Sequence, residues 1–265
     1  MNLSIKHLPV LALLFVACQV EYHPYDTRIE GETGINATHI AQIEEACADK
    51  NELHFAVISD TQRWYDETAR AVSAINERND IDFVLHTGDI SDFGVRNEFE
   101  WQRDILDGLK VPYIVLLGNH DCIGSGRMIY QKIFGAFDFS FTAGTIHFIC
   151  VNTNALEFPN QTIPDFEFLN AAVRNIPRTS CHTFVAFHAA PNSEQFTPEL
   201  ERPFAEWVAS VPNLRCCLYG HGHSFSDTCP YDDAIHYIQC GHIEQCAYLL
   251  FTVNEAGYSY EKVDF

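Results

Sequence analysis

Nine side chains suited to acid–base or metal chemistry stand at the ends of five short apolar runs. Residues 53–59 run into Asp60. Residues 81–86 lead to Gly88-Asp89 and, shortly after, Asp92. Residues 111–117 lead to Gly118-Asn119-His120-Asp121. Residues 183–187 end at His188, and residues 216–219 lead to Gly220-His221-Gly222-His223. Carboxylate, imidazole and amide oxygen, with no Cys among them, suit Mn, Fe, Zn or Mg rather than a soft-metal site. The groups are too many for one ion and fit two ions sharing a carboxylate. Paired metals about 3.5–4 Å apart can activate a water and stabilise an in-line displacement at phosphorus. Each piece alone is ordinary: Gly-Asp is usually a turn, Asn-His a loop, and a single His a strand-end residue. The ordered set carries the reading.

The elements that must position these groups follow from periodicity. Helical patterns over residues 68–78 and 98–109 alternate with the first three apolar runs, which predicts a βαβαβ unit with parallel strands. Ligands of such sheets bind beyond the carboxyl ends of the strands, where the polar residues lie. In the second half, residues 137–141 and 145–151 read as a hairpin around Thr142-Ala143-Gly144. Helices are expected at 166–173 and 200–208. Residues 235–239, 248–253 and 258–263 read as antiparallel strands. The expected fold class is α/β: a four-layer αββα sandwich of two mixed β-sheets flanked by helices.

The chain has 265 residues, 47% of them hydrophobic, enough for one sizeable domain. Its formal charge of −20 argues against a nucleic-acid polymer as partner and leaves a small phosphate ester, because bound metals reverse the field locally. Residues 1–17 read as a signal peptide, with Lys6 before an apolar stretch at 8–16 too short to span a bilayer. Ala17-Cys18 after that stretch resembles the lipobox of bacterial lipoproteins, which implies export to the cell envelope and a membrane-surface anchor at Cys18. Residues 18–51 are expected to be a tether and an ordering helix, with Ile40, Ile43 and Cys47 on one face, and residues 52–265 the main domain. Of the ten cysteines, most are expected to be small buried residues, with one or two disulfides possible.

The ordered motifs, Asp60 with Gln62, Gly88-Asp89 with Asp92, Gly118-Asn119-His120-Asp121, His188, and Gly220-His221-Gly222-His223, resemble the calcineurin-like metallophosphoesterase superfamily. The resemblance implies a metal-dependent hydrolase of phosphate esters and is nearly silent on the substrate; a small phosphomonoester is favoured, with a phosphodiesterase of small or lipid substrates as the alternative. It implies that Asp60 and His223 bind a first metal, that Asp89 bridges, and that Asn119, His188 and His221 bind a second. His120 would protonate the leaving oxygen, and Asp92 would hydrogen-bond and orient it. Gln62 stands where the family usually has His. Its harder oxygen shifts the expected pair of divalent ions (Mn, Fe, Mg or Zn) towards Mn or Mg. It also keeps open a lipid-tethered metal-binding protein without turnover. Arg63 and Trp64 follow directly and are candidates for binding phosphate and a base or sugar, or for packing the rim.

Overall fold

The computed structural model describes His23, residues 25–231 and residues 233–265. The expected signal peptide (residues 1–17) and Cys18 lie outside them. Helix α1 (Ile35–Cys47) precedes β1 (Glu52–Ile58), α2 (Tyr65–Glu77), β2 (Phe83–His86), α3 (Arg96–Leu106) and β3 (Tyr113–Val115). A 3-10 turn at His120–Cys122 leads into α4 (Gly126–Ile133), then β4 (Phe139–Ala143) and β5 (Ile146–Val151). The chain continues through α5 (Phe166–Arg174), β6 (His182–Phe187), α6 (Pro198–Ser210), β7 (Leu214–Tyr219), β8 (Ser226–Thr228), β9 (His236–Gln239), β10 (Ala247–Asn254) and β11 (Gly257–Asp264).

The strands form two mixed sheets, ordered β11-β10-β1-β2-β3 and β4-β5-β6-β7-β9-β8. Strands β1, β2 and β3 are parallel, as are β5, β6, β7 and β9. Alternation along each strand explains the layering. Phe55 and Val57 of β1 enter the core between the sheets beside Phe83, Phe148, Phe184 and Phe251. Ala56 and Ile58 face the helices, against Ala71, Ile75, Phe99 and Leu106. In β7, Cys216 and Leu218 point between the sheets, while Cys217 and Tyr219 pack with Leu169, Phe204 and Trp207 of α5 and α6. Each fully buried Phe contributes roughly 1.5–3 kcal/mol. The result is the four-layer αββα sandwich.

Three features differ from the sequence expectation. Strand β9, expected to be antiparallel, runs parallel to β7 and is antiparallel only to β8. An apolar run fixes burial, not strand direction, which depends on the partner. Strand β8, three mostly exposed residues, and α4, eight residues with Ile129, Tyr130 and Ile133 buried, were not anticipated.

Helix α1 belongs to the same fold, since Ile35 lies in the core of the first sheet. Its Asn36 replaces a missing neighbour of edge strand β3. Asn36 Nδ2 donates to the Val115 carbonyl at 2.8 Å, and the Val115 N–H donates to Asn36 Oδ1 at 3.0 Å. This amide clip braces the strand that leads to Asn119 and His120. All nine described cysteines are free thiols, and six of them are buried.

Candidate metal centre

The loops beyond β1, β2, β3, β6 and β7 meet at one edge of the sandwich. Among the described residues, eight non-glycine residues have positive φ, and five of them are here: Asp60, Arg63, Asp89, His221 and His223, with φ between 51° and 68°. Left-handed backbone costs these residues about 1 kcal/mol or more each, a cost that concentrates where function requires a fixed direction. Two glycines allow the loops to touch. A Cβ on Gly118 would stand 2.1 Å from Asp89 Oδ1, and one on Gly220 would stand 2.1 Å from Ser59 Oγ.

The convergent atoms are acceptors. Asn119 Oδ1 lies 3.0 Å from His188 Nε2 and 3.0 Å from His221 Nδ1. Asp89 Oδ2 lies 3.2 Å from His188 Nε2, and Asp60 Oδ1 lies 3.4 Å from His223 Nε2. Asp89, His188 and His221 present ligand atoms all within 4.8 Å of one another. His188 Nδ1 stands 2.9 Å from the Thr87 carbonyl, which can only accept, so that nitrogen carries the hydrogen. Its Nε2 therefore offers a lone pair to two other acceptors unless a cation intervenes.

That conflict is the test of metal fit, and the residues pass it. Asp60 Oδ1, Asp89 Oδ2 and Gln62 Oε1 are buried and make no hydrogen bond. Buried oxygens of this kind are costly without a partner. The short distances from Asp60 and Asp89 to imidazole are thus electrostatic proximity rather than aligned hydrogen bonds. Without a metal, a proton takes the cation's place on His188. Burial opposes that charge, yet Asp89 and Asp60 outweigh burial and raise His188 to about 9. Burial likewise works to raise Asp60, but His223 and His188 hold it down to about 2. His221 is shifted the other way, lowered by burial and by the charge on His188.

His120 stands at the rim, its side chain one-third exposed. Its Nδ1 lies 2.8 Å from the backbone carbonyl of Asp92, leaving Nε2 uncommitted. The Asp92 carboxylate, expected to make this contact, is 3.7 Å away and instead binds Arg63. Asp92 thus holds His120 through its backbone. Trp64 donates its indole N–H to His242 Nε2 at 2.8 Å, and the His242 ring lies 4.7 Å from that of His223. The indole is thereby committed to a wall behind His223.

Three supporting residues had no role in the sequence reading. The Asp121 carboxylate accepts from the backbone N–H groups of Asp89 (3.1 Å), Ser91 (2.8 Å) and Gly118 (2.8 Å), and from Ser91 Oγ (2.9 Å). It ties the β2 loop to the β3 loop; Gly-Asn-His-Asp contains it, but nothing in the spacing reveals the clasp. His86 is fully buried, accepts from Gly88 N–H at Nδ1 (3.1 Å) and meets Thr61 Oγ1 at Nε2 (2.9 Å). Burial lowers it to about 4, so it is a neutral brace. Glu194, in the loop after β6, meets His221 Nε2 at 3.0 Å.

Comparison with known proteins agrees with this geometry. A family model described as calcineurin-like phosphoesterase matches residues 53–225, a stretch that includes all seven candidate ligands. A probable cyclic nucleotide phosphodiesterase of Rhodopseudomonas palustris is 29% identical over 195 residues, covering 69% of this chain and 62% of that protein. A 3′,5′-cyclic-nucleotide phosphodiesterase of Nostoc sp. is 26% identical over 154 residues, covering 55% and 57%. The chain thus spans about three fifths of the length of these curated relatives. Among solved structures, the purple acid phosphatase PPD1 of yellow lupin superposes with TM-score 0.63 at 14% identity, covering 82% of this chain and 52% of that one. A dimetal phosphatase of Danio rerio gives 0.60 at 12% identity, covering 78% and 98%. These two share the fold. With the matched family model spanning most of the sandwich and every strand-end candidate ligand, the chain belongs to the calcineurin-like phosphoesterase family.

Proposed function

We propose that this protein is a metal-dependent hydrolase of small phosphate esters. The observation that carries the reading is the set of buried, unpaired oxygens of Asp60, Gln62 and Asp89 beside Asn119, His188 and His221, with His120 at the rim. Asp60, Gln62, Asp89 and His223 would hold one divalent ion, and Asp89, Asn119, His188 and His221 a second. Such ions, when bound, supply positive charge to the phosphoryl oxygens and lower the pKa of the attacking water. Gln62, an oxygen donor, favours Mn or Mg in the first position.

The protein's own part is positioning and proton transfer. The Thr87 carbonyl keeps the hydrogen of His188 on Nδ1, so Nε2 stays open as a donor atom. The Asp92 carbonyl fixes the His120 ring by Nδ1, so Nε2 is the nitrogen that delivers a proton to the leaving oxygen. The two curated relatives named as cyclic nucleotide phosphodiesterases support a small cyclic diester as the first substrate to try, ahead of the phosphomonoester favoured from sequence. Export and a lipid anchor at Cys18 belong to the same proposal and rest on the sequence pattern of residues 1–18.

The test is hydrolysis of 3′,5′-cyclic AMP, bis-p-nitrophenyl phosphate and p-nitrophenyl phosphate with Mn, Mg, Fe(II) and Zn compared. Turnover should need metal and be lost in Asp89→Asn and His120→Ala. Tight metal binding with no turnover on any ester would leave the tethered binding protein as the reading.

A further inference from the structure

We propose that Glu194 is a positioning residue that keeps His221 in the tautomer whose Nδ1 is open toward the metal centre. The inference rests on His221 being a ligand, as the proposed function has it. A neutral imidazole carries one N–H, and both ring nitrogens of His221 face acceptors. Nδ1 stands 3.0 Å from Asn119 Oδ1, and Nε2 stands 3.0 Å from Glu194 Oε1. A neutral amide oxygen and a carboxylate compete for the one hydrogen. Charge-assisted hydrogen bonds are roughly twice as strong as neutral ones, so the carboxylate draws the hydrogen to Nε2. The lone pair is then left on Nδ1, beside Asn119, Asp89 and His188. Without Glu194, Asn119 would draw the hydrogen to the inner nitrogen and close that donor.

The Glu194 loop is anchored on both sides. The Ala189 N–H donates to Thr153 Oγ1 at 3.0 Å, and Phe196 is buried in the second sheet's helix-side core. The Glu194 side chain itself is 74% exposed, so its removal opens no cavity in the core. It also lines an open cavity of about 340 Å³ beside His221, together with Asn192, Ser193 and Gln239.

The experiment uses the full chain stripped of metal. Calorimetric titration with Mn²⁺ alone is expected to show one binding step weakened about 10- to 100-fold in Glu194→Ala. Glu194→Gln, whose amide oxygen can still accept, should recover part of the loss. Long-range ¹⁵N–¹H correlation spectra of the metal-free protein should place the His221 hydrogen on Nε2 in the native chain and move it towards Nδ1 in Glu194→Ala. Affinities within twofold of native, with an unchanged tautomer, would overturn the proposal. If the native chain takes up no Mn²⁺ at all, the metal reading fails separately, and the tautomer comparison alone decides the role of Glu194.

Discussion

His188 and Asp89 form a buried pair, Nε2 to Oδ2 at 3.2 Å, that fills the place of a cation with a proton. The pH dependence of the metal-free protein follows from it. His188 is raised from 6.5 to about 9, burial working against the shift and Asp89 with Asp60 prevailing. A histidine raised on folding contributes stability that is fully present below its unfolded value and lost as pH climbs through its folded value. The metal-free chain should therefore lose stability between pH 6.5 and 9, by up to about 3 kcal/mol. Mn²⁺ replaces the proton, so the loaded protein should not show that decline. Thermal melts with EDTA and with Mn²⁺ at matched pH check this. A metal-free melting temperature flat across the window would rule it out.

Asp121→Asn should be more damaging than its small change in shape suggests. The carboxylate serves three backbone N–H groups and a hydroxyl from two loops. A single amide oxygen cannot accept from all of them, and its NH2 would face donors. Each buried donor left unpaired costs about 1–3 kcal/mol. We expect a loss of at least about 2 kcal/mol by urea unfolding, together with weaker Mn²⁺ binding, because Asp89 and Asn119 sit on the loops it joins. The stability loss should appear in metal-free protein as well, which separates the clasp from a ligand role.

Gln62→His tests the metal preference of the first position. Gln62 is buried, its backbone N–H donates to the Asp89 carbonyl at 3.1 Å, and its Oε1 has no partner. An imidazole nitrogen in place of that oxygen should raise Zn²⁺ affinity relative to Mn²⁺ by about 10-fold or more. Competition titrations read this without any substrate. An unchanged ratio would mean that Gln62 does not reach the ion.

The centre's outline was legible in the sequence because its parts are local. Asp60, Asp89, Asn119, His188, His221 and His223 each follow an apolar strand, and a strand's carboxyl end is visible as a change of pattern. The two-sheet architecture was legible from the order of elements, short apolar runs alternating with helical patterns, whereas the run Phe55-Ala56-Val57-Ile58 is apolar throughout and does not reveal which side chains enter which layer. What escaped was contact between segments distant in the chain. Asn36 braces Val115 across 79 positions, and His242 receives the Trp64 indole across 178. Neither pairing leaves a periodic trace. Glu194 sits in a polar loop where a carboxylate is unremarked, and the direction of β9 depends on its partner β7 rather than on its own residues.

Arg63 remains the side chain whose part in the chemistry is most open to measurement. Its guanidinium binds the Asp92 carboxylate, while the Asp92 carbonyl holds His120. The Arg63 side chain is more than half exposed, so this ion pair adds little stability in water. Fixed by Asp92 beside His120, the proposed proton donor, the guanidinium has donors left for a phosphoryl oxygen. Arg63→Ala should therefore raise KM about 10-fold, the equivalent of about 1.4 kcal/mol, with kcat within threefold of native and the melting temperature unchanged. Arg63→Lys, keeping charge but not the fork, should fall between. A fall in kcat at constant KM would instead make Arg63 an orienting residue that acts through Asp92 on His120, and the substrate contact would have to be sought elsewhere on the rim.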